Sequence, residues 1–145
     1  MASYRESGLS AREIFFLFKV VGLVALIRLG LWLAPFRVVR TWLDRIGQPK
    51  AKMTGSSLHT CARRTAWAIK MASVVVPRAT CLTQALAAHT MLQRQGHPAE
   101  LCIGVVKDHE SRLLAHAWVE CDGEVIVGGQ ESLLLYAPFP SFDGK

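Results

Sequence analysis

The sequence predicts an α+β fold in which helices come first and a small antiparallel sheet follows. Three observations carry that prediction. Apolar residues recur at helical spacing through most of residues 11–95. Beyond them, "AELCIGVVKD" and "LLAHAWVECDGEVIVGG" alternate and are rich in β-formers. Inside the second run, Asp122-Gly123 is a strong two-residue hairpin signal. At 145 residues the chain is long enough for one domain with one core, expected to span 1–145. Within it, residues 1–50 read as apolar, basic helices and 58–145 as the rest of the core. With 51% hydrophobic residues, disorder is expected only at the termini.

Charge is unevenly spread. Residues 1–70 carry 12 lysines and arginines against 3 acids, whereas residues 71–145 carry 5 against 8. A basic half suits an anionic membrane face or an acidic peptide. Nucleic acid is not expected: the chain has no helix-turn-helix, zinc-finger or RNP-like pattern, and its cations are spaced among apolar residues.

The first element is "EIFFLFKVVGLVALIRLGLWLAPF", long enough to cross a bilayer. Lys19 and Arg28 interrupt it, and each costs about 2.5–3.5 kcal/mol near the centre of a spanning helix. Nine residues apart, they lie about 180° apart around a helix, so no single polar face hides both. The expectation is two packed helices, 11–34 and 36–46, with Pro35 between them. A peripheral membrane contact fits the same residues. "GQPKAKMTGSS", residues 47–57, reads as a loop. A third helix follows from Leu58 to Val76, with Trp67 as a core anchor and Arg63, Arg64 and Lys70 on its solvent side. Pro77 ends it.

The fourth helix opens within "PRATCLTQALAAHT". Thr80 is its expected N-cap, which puts Cys81 in the first turn. Leu82, Ala85, Leu86, His89 and Leu92 follow at helical spacing, and Gly96 and Pro98 close the helix at about Gln95. A helix's first turn offers unpaired N–H groups and the positive end of the dipole. Both favour a thiolate, and the same N–H groups can hold an oxyanion. A small core hydrophobe is the plainer role for such a cysteine.

In the hairpin, a turn centred on Asp122-Gly123 sets Cys121 opposite Glu124, Trp118 opposite Val127 and His116 opposite Gly129. His116, Trp118 and Glu120 then share one sheet face, and Ala115, Ala117, Val119 and Cys121 the other. Trp118 is expected to wall a site or to join the core. A strand histidine facing a helix-mouth thiol is the arrangement a Cys–His nucleophile–base pair needs. His59, His89, His97 and His109 fall on helices or turns. His89 lies two turns from Cys81, about 12 Å of rise, too far for a direct hydrogen bond.

The other cysteines, Cys61, Cys102 and Cys121, form no C-x-x-C pair with Cys81 or each other. No structural zinc site is therefore expected. "MASYRESGLSAREIFF" lacks the form of a cleavable signal, so the expected compartment is the cytoplasm, with reduced thiols and a membrane-associated form as the variant.

"CLTQALAAHTMLQRQGHPAELCIGV" together with "AHAWVECDGEVIVGG" resembles the transglutaminase-like cysteine protease superfamily, and more narrowly the B protein of lasso peptide biosynthesis. The motifs cover residues 77–139. The resemblance implies a transglutaminase-like, papain-like cysteine protease core. It implies a leader peptidase that cuts a ribosomally made lasso precursor through a thioester, with Cys81 as nucleophile and His116 as general base. The family's third member is an acid, usually Asp, on the strand returning from the hairpin. Here Gly128 and Gly129 hold the expected positions. Asp122 is about 20 Å along the strand and out of reach. Gln130, Glu131, a backbone carbonyl or a water is left to orient the ring.

Fused members of the family carry a leader-recognition module, for which residues 1–50 lack the alternating strands. The implied partners are therefore the precursor peptide, a separate leader-recognition protein and an ATP-dependent, macrolactam-forming cyclase. No cofactor is expected, since the chain has no G-x-x-x-x-G-K-[ST]. The same scaffold serves transglutaminases and amidases. A catalytically inactive, membrane-associated scaffold is the reading from another class, and a redox thiol protein using Cys102 or Cys121 is the third.

Overall fold

The computed structural model describes residues 9–49, 57–107, 109–129 and 137–138. Four helices precede an antiparallel sheet, as the α+β expectation requires. The elements are α1 (Ala11–Leu33), α2 (Phe36–Ile46), α3 (Ser57–Val75), α4 (Cys81–Arg94), β1 (Ala99–Lys107), β2 (Leu113–Cys121), β3 (Glu124–Val127) and β4 (Ala137–Pro138). The sheet order is β3-β2-β1-β4.

Local chemistry sets the helix ends. Ser10 and Glu13 form a capping box at the start of α1: the Ser10 hydroxyl accepts from the Glu13 N–H, and the Ser10 N–H donates to the Glu13 carboxylate at 2.8 Å. The Ser10 N–H donated to the Glu13 carboxylate, and then the Ser10 hydroxyl beside it, hold that carboxyl below its ordinary pKa, since both favour the charged form. Pro35 starts α2 because its fixed φ suits a helix entrance. At the far end of α4, the His97 N–H donates to the Leu92 carbonyl and the Gly96 N–H to the Gln93 carbonyl, with Gly96 at φ +84°. This is a Schellman close, and it turns the chain straight into β1.

The core lies between the helices and one face of the sheet. Val20, Val24 and Ile27 of α1 meet Ala68, Ile69 and Ala72 of α3, Ala85, Leu86 and Leu92 of α4, and Ala117, Val119 and Val127 of the sheet. The most buried helix is α4, which packs on α1, α2, α3 and all of β1–β3.

Two expectations are corrected. Trp67 is not a core anchor: it is 39% exposed. It shares its helix face with Arg63, Lys70 and Val74, while Thr65, Ala68, Ile69 and Ala72 fill the core side. The hairpin register also differs. Cys121 pairs with Glu124 and Glu120 with Val125, as expected, but Val119 then pairs with Val127. A β-bulge leaves Ile126 as the extra residue on β3. Beyond it the returning arm is displaced by one position, so Trp118 no longer pairs with Val127. The turn itself is as read, with Asp122 at φ +52° and Gly123 at +79°, the two positive angles of a type I′ hairpin.

Candidate active site

Cys81 is the first residue of α4 and is half-buried at the edge of the core. The cap that places it is the expected one. The Thr80 hydroxyl accepts from the Thr83 N–H at 3.3 Å and lies 3.1 Å from the Thr83 hydroxyl. The Gln84 N–H takes the Thr80 carbonyl. The amides of Cys81 and Leu82 make no hydrogen bond within the described residues, the state expected of a helix's opening N–H groups. Arg78, three residues before the thiol, holds a left-handed φ of +57° in the turn after Pro77.

His116 sits in the middle of β2, opposite Gly104 on β1, and is 7% exposed. The His116 Nε2 atom lies 2.7 Å from the Gly128 carbonyl oxygen. A carbonyl can only accept, so Nε2 carries the hydrogen and donates. In the neutral ring this leaves the lone pair on Nδ1. The Trp118 ring stacks on the imidazole at 6.2 Å between centroids, 18° from parallel. Trp118 is fixed in turn by its indole N–H, which donates to the Glu120 carboxylate at 2.7 Å. His116, Trp118 and Glu120 thus form one connected row on their sheet face, while Ala117 and Val119 point into the core that α4 helps to build.

Gly128 is the residue that sequence reasoning saw only as a gap. It holds φ +86°, and a Cβ there would lie 2.7 Å from the Ala117 carbonyl oxygen and 2.9 Å from the Trp118 Cβ. No L side chain fits. The bulge at Ile126 is what carries this glycine to the imidazole. Gln130 and Glu131, the other groups offered as orienters, lie outside the described residues.

Cys81 and His116 therefore stand on packed neighbouring elements, α4 and β2. No hydrogen bond joins the thiol to the ring. The remaining histidines take other roles. His59 faces Glu124 across an exposed 3.4 Å contact, and His89 and His97 are buried. Burial, and then the charges of Asp122 and Glu124, push the Cys121 thiol above its ordinary pKa, so it stays protonated. Among the described residues no group of three His, Cys, Asp or Glu is arranged to hold a metal ion.

No curated protein and no solved structure matches the chain. A family model does, that of the transglutaminase-like superfamily, over residues 28–141. The matched span begins within α1 and takes in α2, the helix bearing Cys81 and the hairpin bearing His116. That superfamily includes both cysteine peptidases and transglutaminases. With most of its length matched, from the end of its first helix to beyond its last strand, the chain belongs to the transglutaminase-like superfamily.

Proposed function

We propose that this protein is a cysteine peptidase that removes the leader from a ribosomally made lasso peptide precursor. The observation that carries the enzymatic part is the His116 ring held by the Gly128 carbonyl on β2, the strand that packs on the helix opened by Cys81, in a transglutaminase-like chain. The narrower substrate rests on the likeness of "CLTQALAAHTMLQRQGHPAELCIGV" and "AHAWVECDGEVIVGG" to lasso B proteins.

The chemistry follows from the groups present. On substrate binding, His116 Nδ1 takes the proton from the Cys81 thiol, and Gly128 keeps Nε2–H donated away from the reaction. The Cys81 sulfur attacks the carbonyl at the leader–core junction. The amides of Cys81 and Leu82 receive the oxyanion. Protonated His116 gives its proton to the leaving amine, which frees the core peptide with a new N-terminus. Water then adds to the thioester, His116 removing its proton, and releases the leader acid and the thiol. The backbone carbonyl does for the imidazole what the family's acid does in orientation, without its charge.

In this reading a separate leader-recognition protein delivers the precursor, and the ATP-dependent cyclase consumes the freed core peptide. The test is a cleavage assay, read by mass spectrometry, on the precursor encoded beside this gene, with and without the recognition protein. Wild type is expected to release the leader, and Cys81→Ala and His116→Ala to fail. Maturation that survives Cys81→Ala, in a protein that stays with membranes through a high-salt wash, would instead favour the inactive scaffold.

A further inference from the structure

The helical layer turns an apolar face outward. On α1, Phe15, Phe18, Leu26, Leu29, Trp32 and Leu33 are all exposed, Phe18 at 72% and Trp32 at 75%. The most apolar stretch of this helix has a mean hydropathy of 2.3, yet only 17% of it is buried. The neighbouring helix α3, which packs on α1, also exposes Trp67, Val74 and Val75.

Cations border this face and acids almost do not. Along α1 run Arg12, Lys19 and Arg28 against the single acid Glu13, whose carboxylate already accepts the Ser10 N–H. Along α3 run Arg63, Arg64 and Lys70 with no acid. The Lys19 ammonium lies 4.5 Å from the centre of the Phe15 ring, and the Arg64 guanidinium 4.6 Å from that of Phe16. Two of these six cations therefore sit over phenylalanine rings of α1.

We infer that this face is a peripheral binding surface for an anionic lipid bilayer, with α1 lying in the plane of the interface. The apolar side chains enter the acyl boundary, the tryptophans sit at headgroup level, and the cations meet lipid phosphates. Two rival occupants fit less well. A bilayer-spanning α1 would have to withdraw Val20, Val24 and Ile27, each at most 1% exposed, from the core. A second copy of the same face would set six cations against six, with one acid on each side to relieve them. The inference does not depend on the chemistry of Cys81.

The experiment is co-sedimentation of the full-length protein with phosphatidylcholine vesicles made with and without phosphatidylglycerol. Binding is expected to need the anionic lipid, to weaken as salt rises, and to be reversed by an alkaline wash. Arg63→Gln combined with Lys70→Gln is expected to weaken partition roughly tenfold or more. Phe18→Glu and Trp32→Glu are expected to abolish it with the fold intact by circular dichroism, because both side chains already face solvent. Failure to sediment with either vesicle, or equal binding to phosphatidylcholine alone, overturns the inference. So does retention through the alkaline wash, which would mean a spanning helix. A dimer by light scattering that Phe18→Glu converts to monomer would give the face to a second copy, with the same effect.

Discussion

A single glycine carries much of the geometry around His116. Its positive φ alone strains any replacement by about 1–2 kcal/mol, and the 2.7 Å approach to the Ala117 carbonyl adds to that. Gly128→Ala is therefore expected to lower stability in urea by at least that much. It should also cut the rate of leader release, because the carbonyl that holds Nε2 must move. A pH–rate profile separates the two effects, since only a disturbed imidazole alters its shape. Cys121 gives a second expectation. Its folded pKa is raised, so the unfolded chain loses this proton first. Its contribution to stability is thus complete below the unfolded thiol range and is lost as pH rises through that range towards the folded pKa. Its alkylation by iodoacetamide should wait for unfolding, which peptide mapping after timed labelling would show. At this scale the sequence displayed what is local. Thr80, Cys81 and the Asp122-Gly123 turn were legible because a cap or a tight turn is written in adjacent residues. The His116–Gly128 contact was not, because it spans twelve positions and depends on the bulge between them.

Among the elements, α4 is both the best-buried helix and the one that opens with the proposed nucleophile. Thr80→Ala removes the acceptor of the Thr83 N–H and is expected to cost about 1 kcal/mol. Thr80→Ser, which keeps the oxygen, should restore most of it in the same denaturation experiment. The boundaries of α1, α2, α3 and α4 follow from caps, prolines and glycines, so periodicity placed them within a residue or two. Trp67 misled because a large aromatic attracts a core assignment, whereas the small residues Ala62, Thr65, Ala68 and Ala72 are what let α3 approach its neighbours. The bulge escaped reading for a related reason. Val125, Ile126 and Val127 are all β-branched, and nothing in their order says which one is left unpaired.

Over the whole molecule, helices and sheet share one core, so loss of volume at its centre is felt throughout. Leu86→Ala, at 1% exposure on α4, is expected to cost about 2–5 kcal/mol by thermal or urea denaturation. The order of layers was legible, since helical periodicity gives way to alternation once, near residue 98. The two-residue β4, which pairs Gly104 with Pro138 and Val105 with Ala137, was not. Two residues hold no periodicity, and only the tertiary fold brings them to the edge of β1. The outward apolar face of α1 was half legible. Composition marked the helix as unusually greasy, but which side the core would leave uncovered depends on how α3 and α4 pack against it.

The most direct measurement of the central claim is acyl-enzyme trapping. The wild-type protein, the precursor and the recognition protein would be mixed, quenched in acid within the first turnover, and analysed by intact mass and peptide mapping. A leader-sized adduct is expected on Cys81, absent in Cys81→Ala and strongly reduced in His116→Ala. Leader release that persists in Cys81→Ala, with no adduct on any thiol, would contradict it.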